Sequence, residues 1–439
     1  MTSAAGIDWV SSPSGPLRGE VRVPGDKSIS HRAVMLAAIA AGTSRISGFL
    51  EGEDTRATAR AFAQMGVRIE TPSASERVVH GVGMHGLRAP AAPLDCGNAG
   101  TGMRLLTGLL AGQAFDSTLI GDESLSRRPM RRVIEPLVQM GAQVEAQPGG
   151  LPPLHVRGGN NLHGIDYALP IASAQVKSAI LLAGLYAGGE TLVREPHPTR
   201  DYTERMLRAL GWPIEFAAGS ARLTGGHVLR ATDVAVPADF SSAAFFIVAA
   251  ALAPGSELRI QAVGMNPRRT GLLRALRLMG ADIVEDNPRA FGGEQVADLI
   301  VRHAPLQGID VPRAIVPDMI DEFPALFVAA AVANGTTRIS GAAELRVKES
   351  DRIAVMARGL TTLGVRIVET SDGAIIDGGQ LGGGEVDSAG DHRCAMSLAV
   401  AGVVARRSVR ILDCANVATS FPGFVDLARG CGFDLVSGL

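Results

Sequence analysis

The sequence predicts an α/β protein built from six copies of one unit. Three observations carry this reading. An apolar residue, a glycine and a small or apolar residue close a helical stretch six times: Met65-Gly66-Val67, Met140-Gly141-Ala142, Leu210-Gly211-Trp212, Met279-Gly280-Ala281, Leu363-Gly364-Val365 and Cys431-Gly432-Phe433. Successive glycines are 68 to 84 residues apart, the self-similarity expected of a repeat architecture. Within each copy, helix-period and strand-period patterns alternate, which belongs to the α/β class.

Each copy has the same order of elements. A polar patch comes first, as at residues 26–32, 97–104 and 172–178. An apolar helix follows and ends at a glycine, the residue that tolerates the left-handed conformation past a helix end. A β-branched strand comes next, as in Thr43-Ser44-Arg45-Ile46. A second, amphipathic helix then places Ala57, Ala61 and Met65 on one face. Its closing glycine leads into another strand, Val67-Arg68-Ile69-Glu70. The last copy stops early, at Phe433-Asp434-Leu435-Val436, whereas earlier ones run on into strands ending near Pro237, Pro312 and Pro317. A similar segment, Val21-Arg22-Val23-Pro24, precedes the first copy. The N-terminal stretch is therefore expected to complete the last three copies. Two domains follow: residues 24–237, holding copies one to three, and residues 1–23 plus 238–439, holding copies four to six. The crossings fall near Pro24 and near Pro237-Ala238.

Composition narrows the function. The 439 residues are 46% hydrophobic and 20% charged, with a net charge of −2. Such a chain buries a large core and is not disordered. It lacks the basic excess of a duplex-DNA binder, and aromatics at 4% leave little for base stacking. None of Cys96, Cys394, Cys414 and Cys431 forms a C-x-x-C pair, so buried reduced thiols are expected. The N-terminus shows no secretory signal, and the longest apolar run, residues 243–253, falls short of the ~20 residues of a membrane span. A cytoplasmic protein is expected.

The polar patches each offer an N-cap: Ser28 or Ser30, Asn98 or Thr101, Ser173, Asp239 or Ser241, Asp321 and Asp391. They also carry cations that a cap does not need, namely Lys27, Arg32, Arg104, Lys177 and Arg393. A cation at a helix N-terminus opposes the helix dipole unless an anion lies between. More cations follow the first strand of each copy: Arg127, Arg128, Arg200, Arg268, Arg269, Lys348 and Arg352. Any one could be a solvated surface charge. Recurring at equivalent positions in a net acidic chain, they point to a cleft between two halves that receives several anionic groups. Candidate acids and bases are Asp321, Glu322, Glu349, Asp351, Asp391 and His392.

These residues resemble a known family. Pro24-Gly25-Asp26-Lys27-Ser28-Ile29-Ser30-His31-Arg32, Cys96-Gly97-Asn98-Ala99-Gly100-Thr101-Gly102-Met103-Arg104, Arg346-Val347-Lys348-Glu349-Ser350-Asp351-Arg352 and Asp391-His392-Arg393-Cys394-Ala395-Met396 are similar to the motifs of the 5-enolpyruvylshikimate-3-phosphate synthase family of enolpyruvyl transferases. The resemblance implies two inside-out α/β domains, each of three βαβαββ units around a pseudo-threefold axis. It implies transfer of the enolpyruvyl group of phosphoenolpyruvate to the 5-hydroxyl of shikimate 3-phosphate in the shikimate pathway, by a monomer with no metal or cofactor. By the same resemblance, Lys27, Ser28, Arg32, Ser173, Ala174, Gln175, Arg200, Asp321 and Lys348 would hold shikimate 3-phosphate. Lys27, Asn98, Gly100, Arg128, Gln175, Arg352 and Arg393 would hold phosphoenolpyruvate. Asp321, Glu349 and Lys27 would move protons. Glyphosate, which occupies the phosphoenolpyruvate position in this family, is expected to inhibit. Departures from the commonest pattern, at Asp26, Ala174 and Leu105 and in Thr419-Ser420-Phe421-Pro422 where some members carry a lysine, are shared by a second subgroup to which Arg200 also belongs. Two rivals differ in testable ways. The UDP-N-acetylglucosamine enolpyruvyl transferases typically have Lys-Asn where Lys27-Ser28 stands and a loop cysteine absent from residues 121–130. A six-unit ring around nucleic acid would need a basic lumen.

Overall fold

The computed structural model describes residues 7–438. The chain divides into two compact units, one of residues 25–236 with 291–293, the other of the segment up to Pro24 with 237–290 and 294–439.

In the first unit, three sheets share one plan. Strands Ala41–Ser47, Arg68–Ser73 and Glu76–Val82 form an antiparallel set, edged by the short strand Val234–Ala235, which runs parallel to the first. The second sheet repeats this order with Ser117–Ile120, Val144–Gln147, Leu151–Val156 and the edge Leu94–Asp95, and the third with Glu190–Arg194, Ile214–Ala217, Ser220–Thr224 and Asp166–Ala168. The first sheet thus takes its edge strand from the far end of the unit, which closes the ring of three.

Helices Lys27–Ala38, Gly100–Ala111 and Ala174–Gly184 form the interior. Beyond their polar first turns their residues are mostly small and aliphatic and nearly all buried, the pattern of a helix with no solvent face. Close approach depends on that smallness. A Cβ on Gly108 would lie 2.2 Å from the Ala179 carbonyl oxygen, so no side chain fits between these two backbones.

The second unit repeats the plan around helices Phe240–Leu252, Phe323–Val332 and His392–Val403. All residues of Phe240–Leu252 are buried. Strand Trp9–Ser12 lies between Val409–Leu412 and Asp434–Ser437, pairing Trp9 with Ile411 and Ser437. Strand Arg18–Val21 runs parallel to Glu257–Gly264. The N-terminal segment thus gives an inner strand to one sheet of this unit and an edge strand to another. The remaining sheet, Thr336–Ile339, Arg366–Thr370 and Gly373–Asp377, is edged by bridges from Gln307 and Asp310.

The six repeat glycines behave alike. Gly66, Gly141, Gly211, Gly280, Gly364 and Gly432 all have φ between +85° and +107°. Each ends an outer helix in the left-handed conformation and turns the chain into a strand. The four cysteines are free and buried. Among the described residues no helix is long and apolar enough to cross a membrane.

Candidate active site

The proposed substrate residues of the first unit gather at the N-terminal ends of its inner helices. Asp26, rather than Ser28 or Ser30, caps Lys27–Ala38, its carboxylate accepting from the Ile29 N–H at 2.9 Å. Ser30 instead accepts from the Leu50 N–H. Lys27 ion-pairs with Asp54, a first-turn acid of helix Glu53–Gln64 that the sequence reading did not single out. Ser28 is half-buried, and its carbonyl accepts from Arg32 Nη1. Buried Arg32 also donates to Thr203 at 2.7 Å and Ser178 at 2.8 Å. Burial, then the nearby charge of Arg200, lowers its pKa to about 10.

At the second copy neither Asn98 nor Thr101 caps the helix, which starts at Gly100 after Ala99 without a side-chain bond. Asn98 serves Arg128 instead: its side-chain oxygen accepts from Arg128 Nη2 at 2.7 Å. Arg104 donates to Gln175 Oε1 at 2.9 Å, and Gln175 donates to Thr101 at 2.8 Å. A Cβ on Gly100 would lie 2.9 Å from Arg104 Nη1 and 3.2 Å from Arg128 Nη1. The missing side chain thus lets two guanidiniums close over one helix start, where backbone N–H groups also point.

The third patch is capped by Ser173, whose hydroxyl accepts from the Val176 N–H, with Ala174 and Gln175 opening the helix. Lys177 departs from expectation. It does not face an anion site but lies buried between Glu195 and Glu204. Arg127, 75% exposed and paired with Glu123, is a surface charge.

In the second unit a network of alternating charges occupies the helix starts. Arg352, 1% exposed, donates through Nε to Asp391 at 2.8 Å and through Nη2 to Glu349 at 2.6 Å, and its Nη1 lies 3.5 Å from Asp321. Burial would lower the Arg352 pKa, but Asp391, Glu349 and Asp321 together raise it. Arg269 bridges Asp239 at 3.0 Å and Asp321 at 3.3 Å. Arg393 donates to the Asp321 carbonyl at 3.3 Å. Asp321 is not the N-cap of Phe323–Val332; that position is Glu322, whose side chain makes no cap bond. Glu322 is buried against Ser241 and Arg269, and burial raises its pKa. Lys348 is held below the usual lysine value, chiefly by desolvation.

The carboxylates therefore separate by environment. Asp391 is fully buried and caps His392–Val403, accepting from the Arg393 N–H at 2.9 Å. Burial works to raise its pKa; Arg352 opposes this, and the net shift is downward. Its carboxylate serves the helix N-terminus and the Arg352 guanidinium. Asp321 and Glu349 keep 15% and 23% of their side chains exposed while sharing the Arg352 guanidinium. Two accessible carboxylates on one immobilised cation can divide acid and base work. Asp54 and the bridging role of Arg269 escaped the sequence because both depend on tertiary partners.

The architecture is that of the enolpyruvyl transferases. The enolpyruvyl transferase NikO from Streptomyces tendae shares the fold with a TM-score of 0.78 over 99% of both chains, at 18% identity. The chain belongs to the EPSP synthase (3-phosphoshikimate 1-carboxyvinyltransferase) family, which it matches over residues 11–427. It is 68% identical over 427 residues to a 3-phosphoshikimate 1-carboxyvinyltransferase of Xanthomonas euvesicatoria pv. vesicatoria, covering 97% of each chain. A structure of EPSP synthase from Acinetobacter baumannii is similar with a TM-score of 0.89 and 51% identity, over 99% of this chain and 100% of that one.

Proposed function

We propose that this chain transfers the enolpyruvyl group of phosphoenolpyruvate to the 5-hydroxyl of shikimate 3-phosphate and releases phosphate. The observation that carries the proposal is the pair Asp321 and Glu349 on Arg352, beside Lys348 and Arg393. In this reading Asp321 takes the proton of the 5-hydroxyl as its oxygen attacks C2 of phosphoenolpyruvate. Glu349, assisted by Lys27, delivers a proton to C3. Positive charge develops at C2, where the carboxylates stabilise it. Glu349 then removes a proton from C3, the bond from C2 to the phosphate oxygen breaks, and phosphate leaves with the proton that Asp321 had taken, which restores both carboxyl groups to their starting states.

The cations position the substrates. Arg128, Arg352 and Arg393, with Lys27, Asn98, Gly100 and Gln175, hold phosphoenolpyruvate; guanidiniums suit its carboxylate and phosphate because they bind in a fork. Lys27, Ser28, Arg32, Ser173, Ala174, Gln175, Arg200, Asp321 and Lys348 hold shikimate 3-phosphate. In this reading the enzyme works as a monomer in the cytoplasm, on the pathway to chorismate.

Phosphate release tests the proposal. Purified protein is mixed with phosphoenolpyruvate and either shikimate 3-phosphate or UDP-N-acetylglucosamine. Release with shikimate 3-phosphate alone is expected. Release only with the sugar nucleotide, or with neither acceptor, would overturn it.

A further inference from the structure

Lys177 sits in the third polar patch, yet no substrate role is open to it. Its side chain is 3% exposed, and its ammonium lies 2.8 Å from Glu195 Oε2 and 2.8 Å from Glu204 Oε1, whose side chains are both 2% exposed. Three buried charges are a poor source of stability, because desolvation offsets most of their attraction. Their placement suggests another use. Glu195 follows strand Glu190–Arg194, and Glu204 lies in the first turn of helix Tyr202–Ala209. Between them runs the segment that carries Arg200. Glu195 also accepts from the Thr199 N–H at 3.3 Å and from the Thr199 hydroxyl. One ammonium thus fastens both ends of the Arg200 segment to helix Ala174–Gly184, the helix that Ser173 caps.

The fastening has something to resist. Arg200 is near enough to Arg32 for its charge to disfavour the protonated guanidinium. Two like charges that must meet one anion separate unless the backbone is held. Arg32 is itself held by the residues flanking the triad: it donates to Ser178, next to Lys177, and to Thr203, next to Glu204, while Thr203 donates to Ser178 at 2.8 Å. Tyr202 donates to Asp26, the cap of the helix bearing Lys27.

We infer that Lys177 is a positioning residue: by clamping Glu195 and Glu204 it presets Arg200 against Arg32 and Ser173, so that the phosphate of shikimate 3-phosphate enters an assembled subsite. The inference rests on the proposed function for the identity of the anion, and on the ion-pair geometry for the clamp.

Lys177→Met removes the charge at nearly constant length. With the variant assayed below its melting temperature, the KM for shikimate 3-phosphate should rise tenfold or more. The KM for phosphoenolpyruvate should stay within threefold, and Lys177→Arg should recover most of the loss. A general loosening of the fold would raise both KM values together; that result, or an unchanged KM for shikimate 3-phosphate, overturns the inference. Should Lys177→Met not fold, Glu195→Gln keeps the Lys177–Glu204 pair and frees only the approach to Arg200, and the same split is expected at smaller size. Calorimetric titration with inorganic phosphate separates the two readings. Weaker phosphate binding by the variants of a protein that turns nothing over would sink the transfer reading and support the clamp. Equal phosphate binding by all, with shikimate 3-phosphate turnover intact, would sink the clamp alone.

Discussion

Asp321 and Asp391 both touch Arg352, but they stand on opposite sides of a division between chemistry and stability. Asp321 is partly exposed, and its contacts with Arg269 and Arg352 are long. Asp321→Asn should lower kcat by about 10²–10⁴, the usual worth of a positioned acid or base, and leave the melting temperature nearly unchanged. Steady-state kinetics with thermal denaturation checks both halves. Asp391→Asn should do the reverse in stability. It leaves buried Arg352 without its closest buried partner, at a cost of about 3 kcal/mol at neutral pH. The pH dependence has a definite sign. The folded Asp391 carboxyl is held below its unfolded value of about 3.9. Its contribution is therefore complete above pH 4 and is lost as pH falls through the folded pKa. The stability gap between wild type and Asp391→Asn, read from urea unfolding, should narrow only below about pH 4; a gap constant down to pH 2 would contradict this.

At the scale of the element, the repeat was legible because its punctuation is local. A glycine in the left-handed conformation after a helix is written into the sequence whatever the helix packs against, and all six take it up. The alternation of apolar helix and β-branched strand was legible for the same reason. The fates of individual polar residues were not. Lys27 and Lys177 both lie at helix starts, but only the structure shows Lys27 on Asp54 with 18% exposure and Lys177 sealed between two glutamates. Nor could spacing tell that Asp26 caps the first helix while Ser30 caps a neighbouring loop N–H. Apart from the Asp26 cap, whose partner is local, these choices depend on partners on other elements. Gly211 gives the local rule a test. Its φ is +85° and a Cβ would meet nothing within 4 Å, so Gly211→Ala introduces backbone strain without a clash. It should cost about 1–2 kcal/mol with kcat unchanged. A shift in the urea midpoint of that size at constant slope is the expected result, and no shift would mean that the turn relaxes.

For the whole molecule, the two apolar interiors are separate. One gathers residues from Ile29 to Val236; the other takes residues from both ends of the chain, from Trp9 to Leu435. The protein's two tryptophans fall one in each, Trp9 at 4% and Trp212 at 1% exposure. Trp9 stacks on Phe424 at 5.5 Å, and Phe424 in turn contacts Phe246, Phe421 and Phe433. A strand from the N-terminus thus anchors the aromatic centre of an interior built mostly from the last two hundred residues. Trp9→Ala should cost that interior about 3–5 kcal/mol, and it leaves Trp212 as the sole tryptophan reporting on the other. Two interiors with their own cores need not unfold as one. Urea unfolding of Trp9→Ala should therefore show an early loss of ellipticity at a midpoint below that of wild type. The Trp212 fluorescence transition should keep the midpoint it has in Trp9→Phe. Were Trp212 to unfold in step with the early loss, the units would form a single cooperative body. The N-terminal strand would then support residues 25–236 as well as the sheet it joins.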